Sequence, residues 1–206
     1  MIAKASTIPH GANAIRYSVN KDRADIVKAN LLPDDISPEA MYGRMILVQK
    51  MFAEKINKGR PLGRNVIRIE ISPAEAESRN WKMDDWARLA NEFIHVFDSI
   101  DLSEKTKRAS SKQTNLKGSQ YIVALHRDSK SGILHLHANR VDMDGKINDS
   151  HRLVRGLSWL RISSTKDVVG YSRKKSAYST GKRFLTVAWR YFVQWISSVG
   201  DNMKWN

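Results

Sequence analysis

The sequence predicts an α/β or α+β fold in which helices flank an antiparallel sheet. Three observations support this fold class. Segments with alternating apolar and polar residues are typical of half-buried strands, and segments with apolar residues at helical spacing are interspersed among them along the chain. Two of the strand-like segments are joined by a short polar loop that ends in glycine, which indicates a hairpin and therefore antiparallel pairing.

The first third of the chain is expected to hold a strand and two helices. Met1–Ile8 alternates weakly and predicts a short strand, and Ala12–Val19 has the pattern of a short helix. Ser37 and Pro38 are typical of a helix N-cap and first helical position, because a serine hydroxyl accepts from free N–H groups and proline has no N–H to satisfy. This helix is expected to run to about Asn57 and to stop near the next glycine.

The rest of the chain predicts three strands and two more helices. Asn65–Ser72 alternates and predicts a half-buried strand, while apolar residues at helical spacing predict an amphipathic helix over residues 83–100. The segments Gln120–Arg127 and Ile133–Val141 are the strands of the hairpin. A final helix is expected over Phe184–Val199.

Charge is the most unusual feature of the composition. The chain has 35 Lys and Arg against 21 Asp and Glu, a net charge of +14. The excess is concentrated around residues 60–68, 105–117 and 152–183, where Ser, Thr, Asn and Gln are interleaved with the basic side chains. Such segments are either solvated surfaces and loops or phosphate-binding sites. The interleaved polar side chains favour phosphate binding, so the expected partner is a nucleic acid. The absence of cysteine excludes disulfides, thiolate metal sites and a cysteine nucleophile.

Three of the six histidines lie in the predicted hairpin. Alternate residues of a strand point to the same face, so His135 and His137 share a face. A four-residue loop pairs Asp128 with Ile133, and in that register His126 lies directly opposite His135 on the same face. The three imidazoles are then expected to converge. Three histidine ligands with open positions are typical of a catalytic metal site.

In these residues the chain resembles the relaxases, the mobilisation nucleases that nick plasmids and other mobile elements at an origin of transfer. His135-Leu136-His137 matches the His–hydrophobe–His motif of their superfamily, and His126 and Asp128 precede it at the family's spacing. The segments Asn139–Asp142 and Gly145-Lys146 also follow the family pattern. The resemblance covers roughly residues 1–145, and the sequence departs from the pattern in having Leu134 where many members have proline.

The resemblance implies an α+β fold (an α/β sandwich) with a central antiparallel sheet of about five strands and the histidine hairpin at its centre. Residues 1–150 are expected to form the nuclease domain, and residues 151–206 a basic, helical extension. The implied activity is single-strand nicking and rejoining through a 5′-phosphotyrosyl intermediate. The implied cofactor is a divalent metal ion held by the three histidines, Mn or Mg in function, with Ni, Co or Zn also possible.

The family uses a tyrosine near the N-terminus as its nucleophile, and Tyr17 stands at that position. Tyr121 is expected on the opposite strand face from His126, as a core residue, and the face of Tyr42 is not fixed by the pattern. His10 is the main rival of Tyr17, because some relatives attack with a histidine.

Two carboxylates are candidates for a catalytic role beside Tyr17. Asp128 shares a face with His126 at the strand end, where it orients a histidine or the nucleophile, or else caps its own turn. Glu70 shares a face with Arg68 and Ser72, and is either an acid near the metal or a surface residue. The basic residues predicted to bind DNA are Arg16, Lys21, Arg23, Lys105, Lys107, Arg108, Lys112, Arg173, Lys174 and Lys175.

Two other function classes remain open on the sequence alone. A three-histidine metalloenzyme that acts on a small molecule fits the hairpin but has no need of three basic segments. A non-catalytic DNA-binding accessory protein fits the charge and would lack a ligand or a nucleophile. The partners expected for a relaxase are single-stranded DNA at an origin of transfer and accessory mobilisation and coupling proteins.

A cytoplasmic, bacterial location without membrane attachment is the expectation from the sequence. The N-terminal segment has no apolar run typical of a signal peptide. The predicted final helix spans 16 residues and contains Arg190 and Gln194, so it is too short and too polar to cross a bilayer. Its apolar residues nearly encircle it, which favours burial in the core or against a partner.

Overall fold

The computed structural model describes residues 2–19, 24–33, 35–101, 113–128 and 130–149. In that part of the chain the strands are β1 (Ile2–Ile8), β2 (Ala24–Asn30), β3 (Val66–Ser72), β4 (Ser119–His126) and β5 (Ile133–Asp142). The helices are α1 (Gly11–Val19), α2 (Pro38–Met51), α3 (Ala53–Asn57), α4 (Glu75–Ser78) and α5 (Met83–Ser99). The predicted helix at Phe184–Val199 lies outside the described residues.

The five strands form one antiparallel sheet in the order β1-β3-β5-β4-β2. The predicted α+β class with an antiparallel sheet and flanking helices is therefore confirmed. Strand β5 occupies the central position, and the β4–β5 hairpin brings two strands that are adjacent in sequence side by side. The central position explains why nearly every residue of β4 and β5 is buried.

Each face of the sheet packs against helices. On one face Ile67, Ile69 and Ile71 are fully buried, and the Trp86 ring of α5 lies against Gly132. On the other face α1 and α2 form a buried apolar cluster with the sheet. Its buried members are Ile15, Leu32, Met41, Met45, Val66 and Ile122. Among the described helices none is long and apolar enough to span a membrane.

The predicted start of α2 is confirmed in detail. The Ser37 hydroxyl accepts a hydrogen bond from the Ala40 N–H at 3.2 Å, and Pro38 is the first helical residue. The predicted single helix to Asn57 is in fact two helices, because Phe52 leaves the helical conformation with φ −106° and ψ 11°. Its ring packs against Gly145, where there is no room for a Cβ atom. This contact pins the end of α2 to the turn after β5.

The sequence patterns missed strand β2 and the single turn α4. Strand β2 lies at the edge of the sheet, where a strand pairs on one side only, and its residues are partly exposed. A register shift between Ile26 and Lys28 also breaks its alternation. An exposed edge strand with a bulge has neither the apolar run nor the strict period of two by which strands are recognised.

The predicted hairpin register is wrong by two residues. His126, rather than Asp128, pairs with Ile133, and His135 lies opposite Ala124. The ladder ends at this pair, and the next residue, Arg127, is exposed and forms an ion pair with Asp25 at a nitrogen–oxygen distance of 2.8 Å. A shift by an even number preserves which face each side chain occupies, so the prediction that the three histidines share one face is confirmed.

A buried hydrogen-bond network around Asn139 fixes α2 on the sheet. The Asn139 side chain is fully buried. Its amide nitrogen donates to the Met45 carbonyl and to Gln120 Oε1, each at 3.1 Å, and its Oδ1 accepts from Gln49 Nε2 at 2.7 Å. The network connects β5, β4 and α2. Because its groups are removed from water, the loss of one member leaves buried polar groups without a partner, which is costly.

We predict that Asn139→Ala lowers the free energy of unfolding by about 2–4 kcal/mol, since it removes the Asn139 partner of Gln120 Oε1 and of the buried Val141 N–H, while Gln49 keeps its bond to the Asn65 carbonyl. Urea denaturation followed by circular dichroism measures the loss. The control is Asn91→Ala on the exposed face of α5, which removes only an exposed hydrogen bond to Lys28 and is expected to change stability by less than about 0.5 kcal/mol. Equal effects of the two substitutions would contradict the structural role of Asn139.

Candidate active site

The three hairpin histidines lie close together on the sheet face that carries α1. The ring centroids of His126 and His135 are 4.1 Å apart. His126 and His137 are buried, with 2% and 1% of their surface exposed, whereas His135 is partly exposed. They occupy adjacent central strands, so a rigid part of the sheet holds their backbone positions. The candidate site is therefore a cluster of three imidazoles in which one ring, that of His135, is partly exposed.

Ser18, near the C-terminal end of α1, contacts two of these histidines. Its hydroxyl oxygen lies 2.7 Å from Nε2 of His137, and its carbonyl oxygen lies 3.0 Å from Nε2 of His126. Ser18 is itself 1% exposed. The sequence does not predict a role for this residue, because one serine in a helix carries no pattern that distinguishes a site residue from a core residue. Its place next to Tyr17 was the one available signal.

The buried position of His137 determines its protonation. Burial, and then the positive charges of neighbouring His135, Arg68 and His126, lower the pKa of His137 to about 3. His137 is therefore neutral near pH 7. Its Nδ1 is buried and has no hydrogen-bond partner among the described residues. A neutral imidazole with a nitrogen that lacks a partner is chemically suited to bind a metal ion.

Glu70 lies beside His135, which is one of the two placements that the sequence left open for it. It is the ladder neighbour of His135, and one of its carboxylate oxygens is 3.8 Å from Nδ1 of His135. The same oxygen accepts a hydrogen bond from Arg68 at 2.7 Å. The side chain of Glu70 is 27% exposed. The structure thus places this carboxylate at the rim of the cluster, between a basic side chain and the outermost imidazole.

The ligand types at this site suit a divalent metal ion, but the side chains are not arranged around a common point. Three imidazoles and a nearby carboxylate are the ligand types that transition metals prefer. Within the described residues, however, no group of three or more His, Asp or Glu side chains is positioned to hold an ion. The Nε2 atoms of His126 and His137 instead contact Ser18. A metal site at His126, His135 and His137 therefore stays a prediction.

Tyr17 is adjacent to the histidine cluster and open to solvent. Its ring centroid is 5.6 Å from that of His126, and 58% of its surface is exposed. With this exposure, Tyr17 is not an aromatic residue packed in the core. The rival His10 precedes the first turn of α1, eight residues before Ser18, which corresponds to about 12 Å along a helix axis. Of the two candidates, Tyr17 is at the end of α1 that meets the histidines.

The other described tyrosines are held elsewhere. The Tyr42 hydroxyl accepts a hydrogen bond from Asn65 Nδ2 at 2.8 Å, within the contact between α2 and the sheet. Tyr121 is 2% exposed, and it lies on the opposite face of β4 from His126, as predicted. Burial raises the pKa of Tyr121, so its hydroxyl is harder to deprotonate than that of an exposed tyrosine. The Tyr42 hydroxyl is therefore engaged by Asn65, and Tyr121 lies on the face away from the histidines.

Asp128 and Arg16 are the other candidate residues that lie in the described part of the chain. Asp128 is exposed in the β4–β5 loop, two residues beyond the end of β4, so strand alternation does not place it on the His126 face, and its catalytic role stays a prediction. Arg16 forms an exposed ion pair with Glu39 at 2.6 Å, which connects α1 to α2. The remaining predicted DNA-binding residues lie outside the described part of the chain. They are Lys21, Arg23, Lys105, Lys107, Arg108, Lys112, Arg173, Lys174 and Lys175.

The sheet face beside the histidines is open over its β1–β3 half. Lys4, Ser6 and Arg68 are exposed there. Ladder pairing sets Ser6 opposite Arg68, and Arg68 opposite His137. A polar surface therefore continues from the histidine cluster across two strands, and on it the basic Lys4 and Arg68 flank the carboxylate of Glu70. It contains the donor types that contact nucleic-acid phosphates.

Comparison of the chain with protein-family models, with curated proteins and with solved structures finds no match. The residues and the geometry of the site are therefore the basis for assigning a function.

We predict that acidification destabilises the metal-free protein through His137. Its pKa in the folded state, about 3, lies below the ordinary value of 6.5, so between these pH values the unfolded chain carries a proton that the folded chain lacks. Stability is then full above about pH 6.5 and falls with decreasing pH, by at most about 1.4 kcal/mol per pH unit.

The measurement is urea denaturation in EDTA from pH 7 to pH 4, with His137→Gln compared with wild type. The variant is expected to lose less stability per pH unit than wild type, because glutamine does not titrate. The exposed His95 on α5 supplies the control, since His95→Gln should keep the wild-type slope. A wild-type slope in His137→Gln would show that His137 is not a buried neutral imidazole.

Proposed function

We propose that this protein is a relaxase, which nicks one DNA strand at an origin of transfer through Tyr17 and later rejoins it. The observation that carries the proposal is the exposed Tyr17 ring, 5.6 Å from His126 in a cluster of three histidines on the central strands. The resemblance of the histidine motif and the net charge of +14 support the same reading. The expected substrate is single-stranded DNA, which agrees with the open basic sheet face.

The proposed reaction is a transesterification at phosphorus. The phenolic oxygen of Tyr17 loses its proton and attacks the scissile phosphate, forming an oxygen–phosphorus bond. The bond from phosphorus to the 3′ oxygen breaks, and that oxygen takes up a proton to become a free 3′ hydroxyl. The 5′ end remains esterified to Tyr17. Because one ester replaces another, the reverse attack by a 3′ hydroxyl rejoins the strand without an energy source.

The side chains around Tyr17 have separate tasks in this scheme. Lys4 and Arg68 on the open sheet face are suited to hold phosphates of the incoming strand. Placing the phosphate beside a fixed Tyr17 makes the attack effectively intramolecular. His126 and His137 lie buried beside Tyr17, and the central strands fix the backbone positions of both histidines.

A divalent ion bound by His126, His135 and His137 would polarise the scissile phosphate and neutralise charge that develops in the transition state. Mn or Mg is the proposed ion in function, with Ni, Co or Zn as further candidates. Glu70 would then be a nearby acid that influences His135. Accessory mobilisation and coupling proteins are the proposed partners, in the bacterial cytoplasm.

We predict that Tyr17→Phe abolishes covalent attachment to DNA and leaves folding and DNA affinity unchanged, because only the attacking oxygen is lost. The probe is a tiled set of single-stranded oligonucleotides covering both strands of the DNA on either side of the gene, supplied with Mn²⁺. Denaturing gels detect a protein–oligonucleotide adduct as a band of reduced mobility.

The control is Tyr121→Phe, which removes a phenolic oxygen from the opposite sheet face and should still form the adduct. Adduct formation by Tyr17→Phe at the wild-type level would refute the assignment of the nucleophile. Absence of any adduct with wild-type protein across the whole tiled set would refute the proposed activity.

We predict that the protein binds one Mn²⁺ per chain and that His135→Ala weakens this binding by more than about 10-fold. Isothermal titration calorimetry measures the affinity. His95→Ala, on the exposed side of α5, is the control and should bind like wild type. Equal affinities of wild type and His135→Ala would remove the histidine cluster as a metal site and favour a non-catalytic DNA-binding protein.

A further inference from the structure

The double contact of Ser18 has a consequence for the chemistry of both histidines. A carbonyl oxygen has no hydrogen to donate and can only accept. The 3.0 Å contact between the Ser18 carbonyl and Nε2 of His126 therefore requires the proton of neutral His126 to be on Nε2. The lone pair of that ring is then on Nδ1. The main chain of α1 thus selects the tautomer of a histidine on β4.

The same residue restrains His137 through its side chain. The Ser18 hydroxyl and Nε2 of His137 are 2.7 Å apart, and both residues are buried from solvent. Nδ1 of His137 has no partner within the described part of the chain. The contact with the Ser18 hydroxyl therefore restrains the rotation of the His137 ring about its side-chain torsions.

Helix α1 connects these contacts to the proposed nucleophile. Ser18 follows Tyr17 directly, so the backbone that carries Tyr17 is attached to β4 through one hydrogen bond and to β5 through another. Ser18 also lies in the last turn of α1, where carbonyl groups lack helical partners and carry partial negative charge. His126 satisfies one of these carbonyls.

We propose that Ser18 is a positioning residue that sets the tautomer of His126 and the ring orientation of His137, and that holds Tyr17 at a fixed distance from both rings. This inference rests on the proposed function for its catalytic consequence, whereas the tautomer and the ring contact are properties of the protein alone. Hydrogen-bond partners on the second nitrogen of a histidine commonly change ligand affinity or activity by about 10- to 100-fold.

The test begins with the protein labelled with nitrogen-15 at histidine, in EDTA at pH 8. Long-range proton–nitrogen correlation spectra distinguish a protonated from an unprotonated ring nitrogen. Wild type is expected to show His126 protonated at Nε2. Substitution Ser18→Ala removes the hydroxyl and keeps the carbonyl, so the His137 ring resonances should move while His126 keeps its tautomer. Ser6→Ala, on exposed β1, is the control and should leave both rings unchanged.

Two results overturn the proposal: a His126 proton on Nδ1 in wild type, or unchanged His137 resonances in Ser18→Ala. If Ser18→Ala does not fold, Ser18→Cys keeps the size of the side chain with a weaker donor and must still shift the His137 resonances. In the oligonucleotide assay, Ser18→Ala is expected to lower the rate constant of adduct formation at saturating DNA about 10-fold, with the DNA dissociation constant unchanged. Loss of DNA affinity alone would contradict a positioning role.

These measurements separate the two proposals. A wild-type protein that forms no adduct but has the expected tautomer, with a His137 shift in Ser18→Ala, refutes the relaxase activity and supports the Ser18 contacts. A protein that forms the adduct through Tyr17 with an unchanged His137 spectrum in Ser18→Ala supports the activity and refutes the role of Ser18.

Discussion

The alternation of side chains along the central strands is the constraint on which the candidate site depends. His135 and His137 are two residues apart on β5, so they must share a face, and the pairing with β4 puts His126 on that face as well. Any register shift by an even number keeps this arrangement, while a shift by one residue would move His126 to the opposite face. The buried Ile and Leu residues of the other face oppose such a shift, because it would expose them or bury charge.

Helix α1 contributes the remaining residues of the candidate site. The sheet supplies three rings on one face, and the end of α1 supplies Ser18 and Tyr17 at the same place. The helix is held there by the apolar cluster around Ile15 and by the exposed ion pair between Arg16 and Glu39. Exposed ion pairs contribute little to stability, so the apolar contacts are the main restraint on the distance between Tyr17 and the histidines.

The parts that the sequence predicted are those with strong local patterns. Strand β3, helix α5, the hairpin and the cap at Ser37 follow from alternation, helical spacing and capping chemistry, and each is present. The edge strand β2 carries no such pattern because half of it faces solvent. The predicted hairpin register depended on an assumed loop length. At the end of the hairpin, Arg127 pairs with Asp25, a residue 102 positions away in the sequence. Contacts of that range leave no local signal.

The same division applies to the site. Period-two reasoning placed the three histidines on one face, and the family pattern singled out Tyr17, which the structure locates beside His126. Ser18 was not predicted, since its two contacts join elements separated by more than 100 residues. Asn139 and Asp142, which carried part of the resemblance, serve the fold in the structure: Asn139 binds α2, and Asp142 accepts from the backbone of the turn that follows it.

The central claim is that Tyr17 becomes covalently attached to a DNA strand, and mass spectrometry of the trapped adduct tests it most directly. Wild-type protein is incubated with the tiled single-stranded oligonucleotides and Mn²⁺, digested with trypsin and nuclease, and searched for a peptide that carries a nucleotide phosphate. The account predicts one modified residue, Tyr17, with the phosphate from the 5′ side of the nick. A nucleotide on His10, on another tyrosine, or on no residue at all would contradict it.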